Sequence, residues 1–289
     1  MAESPAHKFG QLLGELLESL IQPQLEDFCH ARNLYLDYHK KNRKARLGKK
    51  VSWVDSYGNT HDLDFVIERG GTDTLIGRPV AFIESAWRRY TKHSRNKAQE
   101  IQGAILPLAE KYRWNNPFLG TIIAGVFTEG SIEQLHSLGF HVLYISYESY
   151  VQAFKSEGFD ILFGEDTPDQ VFSEMNSRFE AASADAIERI QVSLIKANKE
   201  NIDKFFFALE QRLSRYITHV FVIPLYGRVN DFLSVEEAIQ FIDHHPIYEG
   251  SGEFRKYEIR VEFSNGDKVE ASLEAKDKVK DFLDFISRQ

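Results

Sequence analysis

Two carboxylates and a run of cations carry the chemistry this sequence could perform. They lie between His61 and Lys97, in HDLDFVIERGGTDTLIGRPVAFIESAWRRYTKHSRNK. Asp64 directly precedes Phe65-Val66-Ile67, and Val80-Ala81-Phe82-Ile83 runs straight into Glu84, so each acid stands at the end of an apolar strand. Neighbouring antiparallel strands can set two such residues side by side, where a divalent cation would offset their repulsion. Arg88, Arg89, Lys92, Arg95 and Lys97 follow at once, and such side chains are suited to a phosphate backbone. Acids for a metal beside cations for a phosphate are what phosphodiester hydrolysis requires.

These residues resemble the PD-(D/E)XK nuclease superfamily, which contains many type II restriction endonucleases. Its signature is an Asp and, about one hairpin later, a Glu, any residue and a Lys. Here Asp64 is followed by Glu84 and Ser85, but position 86 is Ala. The order of elements adds to the resemblance: a helix, three antiparallel strands, a helix and a strand follow one another over residues 8–127. It covers less than half the chain and does not reach the last third.

The resemblance implies an α/β fold, a mixed β-sheet flanked by helices. It also implies Mg²⁺ (or Mn²⁺) held by Asp64, Glu84 and the main chain of Ser85 or Ala86, and Asp64 and Glu84 as catalytic residues. The expected activity is metal-dependent endonuclease cleavage of duplex DNA, in restriction or phage defence. An acid from the first helix sometimes joins such sites, which makes Glu15 a candidate. The missing lysine leaves three readings open. Ala86 stands in for a native Lys in an engineered inactive form, the role has moved to Lys92 or Lys97, or the chain binds DNA without cutting it. Cutting both strands favours a homodimer, with one active site per strand.

Composition sets the outer bounds. The chain has 289 residues, 43% hydrophobic and 27% charged, which is ordinary for a globular protein with ample material for a core. Cys29 is its one cysteine, which rules out an internal disulfide framework and a multi-cysteine zinc site. With no membrane-length apolar run and no leader pattern at the N-terminus, the expected location is the cytoplasm, with no membrane partner. The formal charge of -8 hides a strong asymmetry. Between His30 and Asn115 there are seventeen Lys or Arg against nine Asp or Glu, a basic third on an acidic body. That distribution suits a local phosphate-binding face.

The elements that must position these groups follow from periodicity. Leu12, Leu13, Leu16, Leu17, Leu20 and Ile21 define a helix over 8–31, which Pro23 should kink or interrupt. Lys40, Lys41, Arg43, Lys44, Arg46, Lys49 and Lys50 crowd into a polar loop, a candidate for contact with the DNA backbone. Strands are expected at 51–54, 61–67 and 80–87. A helix over 91–113 buries Ala98, Ile101, Ile105 and Leu108. Its second, polar stripe carries Lys92, Arg95, Gln99 and Gln102, with Lys92 or Gln99 close to the scissile phosphate, while Glu100 points elsewhere.

Leu119–Phe127 and Phe140–Ser146 read as buried strands joined by a short helix, a parallel crossover. Three regions result: a nuclease core over 1–166, a helical connection over 167–216, and a small α+β domain over 217–289 for DNA recognition or dimerisation. In that last region Ser264-Asn265-Gly266-Asp267 is the turn of a hairpin, and His244-His245 reads as structural.

Overall fold

In the computed structural model, residues 4–46, 48–90, 94–225, 228–245 and 255–288 are described. The chain forms two compact units, Met1–Leu209 and Glu210–Gln289. The segment expected as a separate helical connection belongs mostly to the first unit. Its three helices, α5 (Asp169–Glu180), α6 (Ala184–Ala197) and α7 (Lys199–Leu213), break near Ala181 and at Asn198. The first two pack on helix α1 (Pro5–His30). Their apolar stripes find partners there, so they do not form a free arm.

The first unit is a mixed α/β layer structure. Strands β1 (Leu34–Tyr38), β4 (Phe65–Arg69), β5 (Arg78–Arg88), β6 (Phe118–Gly125) and β7 (His141–Ser146) make one five-stranded sheet in the order β1-β4-β5-β6-β7. The β1/β4 and β4/β5 pairs are antiparallel, whereas β5/β6 and β6/β7 are parallel. Helix α2 (Ser94–Lys111) makes the first parallel crossover and α3 (Glu129–Ser137) the second. On β5 the even residues Phe82 and Ala86 pack with Ala98, Ile101 and Ile105 of α2. Trp87, of opposite parity, meets Phe9 of α1, with ring centroids 6.5 Å apart. Helix α1 runs through Pro23 without ending.

Two expectations about strands are corrected. The third antiparallel strand of the sheet is β1, not the stretch at Val51–Val54. That stretch is β2, which pairs only with β3 (Thr60–Leu63) in a separate hairpin. The hairpin sets Trp53 against Phe82 and Tyr112. The sequence of β1, LYLDY, hides its nature because Asp37 looks like a surface residue and is in fact buried. The continuous strand expected over 61–67 is also broken. The chain leaves the hairpin at Leu63 and enters the sheet at Phe65, so Asp64 sits at the switch between the two.

The second unit is a four-stranded antiparallel sheet, ordered β11-β10-β8-β9. It comprises β8 (Ile217–Pro224), β9 (Asn230–Phe232), β10 (Tyr257–Phe263) and β11 (Lys268–Leu273). Helices α8 (Val235–His244) and α9 (Lys276–Ser287) share a core with it, built on Val220, Val222, Ile259, Val261, Ile242 and Leu283. The β10/β11 turn holds Gly266 at φ 85°, a conformation that a Cβ disfavours. His244 bonds its own helix at Gln240 O, and His245 packs on Phe241, as a structural pair would.

Candidate active site

The β4/β5 register pairs Phe65 with Ile83, so the next positions at that end of the ladder are Asp64 and Glu84. Glu84 shares the parity of Phe82 and Ala86 and is only 8% exposed. Its Oε1 is buried and accepts no hydrogen bond. The Asp64 main-chain N–H donates to this carboxyl group. Burial, reinforced by the Asp64 charge, pushes the Glu84 carboxyl up to about 9, while Lys97 pulls it down.

Asp64 is fixed differently. Its Oδ2 accepts from Ser85 N at 2.7 Å and from Ser85 Oγ at 2.8 Å. The amide and hydroxyl of Ser85, expected as a metal ligand through its main chain, therefore orient Asp64.

The acid contributed by α1 is Glu18, not Glu15. Glu15 is exposed and pairs with Lys40 at 3.3 Å. Glu18, three residues on, accepts from Ser85 Oγ at 3.4 Å, and burial together with Asp64 raises it to about 7. Three carboxyl groups are thus electrostatically coupled around Ser85, and two of them hold protons more tightly than free acids do.

A cleft of about 740 Å³ opens beside them. One wall is α1, with His7, Gln11, Glu15 and Glu18; the other is the end of β5 from Ser85 to Arg88, followed by Arg89 and Tyr90. His39, Lys40 and Lys97 complete it. Asp64 and Glu84 adjoin this lining at Ser85, Ala86 and Lys97 without forming part of it.

The expected lysine position is apolar. Ala86 is buried in the core cluster that joins β5 to α2. Lys97 of α2 is the cation whose charge acts on Glu84, and its side chain is only 19% exposed. Lys92, the other candidate for that role, lies outside the described residues.

The expected phosphate contacts divide into three groups. Lys40, Arg88, Arg89 and Lys97 line the cleft. Lys44, Arg95 and Gln99 are exposed but do not line it. Arg43 and Lys41 turn inward, which corrects their assignment as DNA contacts. The Arg43 side chain is fully buried, bonded to Asp37 at 2.9 Å and to both oxygens of Glu68 at 2.5 and 2.9 Å. Lys41 donates to Leu36 O and lies over the Tyr35 ring. Arg89 is also constrained, its guanidinium packed over Tyr90 and Phe172 at 4.3 and 4.2 Å. Glu100, expected to point elsewhere, lies within ion-pair distance of both Arg88 and Lys97.

The donor set can be tested against a metal. Among the described residues no group of three or more His, Cys, Asp or Glu side chains converges as a metal cage. Mg²⁺ does not need one, since it keeps several waters and binds through one or two carboxylates plus substrate phosphates. Two hard carboxylates, one with a buried and unpartnered oxygen, fit that ion. Comparison with family models, curated proteins and solved structures found no match to this chain. Among the described residues no helix is long and apolar enough to cross a membrane.

Proposed function

We propose that this chain is a metal-dependent nuclease that hydrolyses phosphodiester bonds of duplex DNA. The observation that carries the reading is Glu84: a buried carboxyl group with an unpartnered oxygen, beside a second acid, at the edge of a cation-lined cleft. Leaving a buried acceptor unsatisfied typically costs about 1–3 kcal/mol, and such groups concentrate where function requires them.

Asp64 and Glu84 would hold Mg²⁺ or Mn²⁺, which when bound supplies an acidified water and neutralises charge on the phosphate. Ser85 keeps Asp64 in place. Lys97 takes the role that the family gives to a lysine at position 86, since its charge already acts on Glu84. Glu18, titrating near neutrality, is suited to exchange a proton with water in the cleft. Lys40 and Arg88 contact the DNA backbone. A role in restriction or phage defence belongs with this activity, and two-strand cutting would be met by a homodimer. The second unit is then the element available for DNA recognition or for pairing of two copies.

The test is incubation of the chain with mixed-sequence plasmid, modified and unmodified, in Mg²⁺ or Mn²⁺, with Glu84→Ala as control. Metal-dependent nicking or linearisation that Glu84→Ala abolishes supports the proposal.

The buried Ala86 favours one alternative, a DNA-binding protein that has kept the fold without catalysis. Salt-sensitive DNA binding with no cleavage under either metal would select it. No binding at all would reject both.

A further inference from the structure

The exposed acid at the cleft rim is the least expected group near the site. Glu100 lies one turn beyond Lys97 on α2. Its Oε2 is 3.4 Å from Lys97 Nζ and 3.7 Å from Arg88 Nη2. One carboxylate oxygen thus ties together two cations from different elements, one at the end of β5 and one at the start of α2. Both cations line the cleft, and Lys97 is the one whose charge reaches Glu84.

A carboxylate is a poor neighbour for a polyanion, since like charges oppose binding. Two cations brought together in one partly covered cleft also repel each other, and long side chains lose entropy when held in one geometry. Glu100 answers both problems at once. Arg88 is further held by its own Nη1, which donates to Trp87 O at 2.9 Å. Lys97 is held by Glu100 and acts on Glu84 through its charge.

We propose that Glu100 is a positioning residue, which holds Lys97 and Arg88 together in the cleft beside the acidic pair at some cost in affinity for nucleic acid. This rests on the nuclease reading above. It separates two effects that a plain surface charge would not. Removing the carboxylate eliminates a repulsive charge, so binding stays equal or tightens. It also releases Lys97, so turnover falls.

The experiment compares wild type, Glu100→Gln, Lys97→Ala and the double variant, each checked for an unchanged melting temperature. Binding to a labelled duplex is measured in EDTA, and kcat and KM in Mg²⁺. The expected result is a Glu100→Gln variant that binds as well as wild type or several-fold tighter, yet turns over at least tenfold more slowly. The double variant should be no slower than Lys97→Ala alone, because residues that act through one another are not additive. Wild-type turnover in Glu100→Gln overturns the inference and leaves the nuclease reading standing. So do additive losses in the double variant, or weaker binding by Glu100→Gln. A wild-type chain that cuts no DNA overturns both.

Discussion

Two buried carboxylates, sixteen residues apart in the sequence and on adjacent strands, have opposite surroundings. Glu68 on β4 is 0% exposed, and both of its oxygens are taken: Arg43 donates to each, and Gly77 N donates to Oε2 at 2.6 Å. Arg43 also bonds Asp37, the Thr72 carbonyl and the Leu75 carbonyl. Arg46 completes the set with both oxygens of Asp37. Charge and hydrogen bonding are satisfied throughout, which is how a buried ionic network serves structure by fastening the 39–46 and 70–77 segments to the sheet. Glu84 on β5 has an acid for a neighbour and one buried oxygen that accepts no hydrogen bond. Full compensation suits the first region to architecture; the partial compensation of Glu84, by the Asp64 N–H and the Lys97 charge, is what the proposed site rests on.

The comparison breaks if the two regions respond alike. Glu84→Gln should lower cleavage by more than the ~10–100-fold typical of losing an outer-shell partner of a metal. It should leave the fold intact or more stable, since it removes a buried ionisable group. Arg43→Ala should do the reverse at first hand. Breaking a buried ion pair from one side costs about 3–5 kcal/mol, so the expected signature is a large fall in melting temperature. Denaturation curves and cleavage rates of the two variants are the check. A Glu84→Gln protein that is inactive only because it unfolds would remove the contrast.

The next largest effect concerns the lysine. Lys97→Ala should reduce turnover by about 10²–10³, the usual cost of losing one group that stabilises charge in the transition state. Position 86 has the parity of Glu84, so a lysine there starts on the same face of the sheet. Ala86→Lys placed on the Lys97→Ala background should recover part of the lost rate. On the wild-type background it should do little beyond straining the β5/α2 packing. Recovery on the wild-type background alone would instead identify Ala86 as a disabled active-site position.

What was legible in the sequence follows the same division. Asp64, Glu84, the apolar strands and the Asn265-Gly266 hairpin could be read because each announces itself locally, by a run of residues or a turn dipeptide. Glu18 could not be separated from Glu15, since three residues on a helix leave both near one face and only the crossing of β5 decides which meets Ser85. The basic loop misled because composition shows charges without partners. Arg43 becomes structural only when Asp37 and Glu68, 6 and 25 residues away, are brought to it. Lys97 is one of two lysines the sequence offers for the displaced role; its charge on Glu84 and its pairing with Glu100 required the geometry of α2 against β5, which periodicity does not supply.

Proton binding sharpens the contrast at a smaller scale. The folded-state values of Glu84, about 9, and Glu18, about 7, both lie above the usual 4.5. For such groups the folded state binds the proton more tightly. Their contribution to stability is therefore complete below about pH 4.5 and is lost as pH rises through 7 and then 9. The metal-free protein should melt at progressively lower temperature across that window, with Glu84→Gln flattening the upper part. Mg²⁺ should reverse the trend at high pH and release protons on binding, measurable by calorimetry in two buffers. A melting temperature independent of pH between 5 and 9 would show that Glu84 is not buried as described.

The smallest expected effect separates two adjacent arginines. Arg88 is held by Trp87 O on one arm and lies 3.7 Å from Glu100 on the other, but its side chain is 33% exposed and lines the cleft, where a phosphate can reach it. Arg88→Ala should weaken DNA binding on all sequences alike and reduce the salt slope by about 1, because phosphate contacts carry no base information. Arg89 is wedged over Tyr90 and Phe172, and packing of that kind is worth about 0.5–2 kcal/mol. Arg89→Ala should therefore appear as a modest loss of melting temperature, with the salt slope nearly unchanged. Binding isotherms at three salt concentrations and a thermal melt of each variant decide the matter. If both arginines lowered the salt slope equally, the ring contacts of Arg89 would have to open when DNA binds. Its place would then be with Arg88 at the phosphate and not with Arg43 in the architecture.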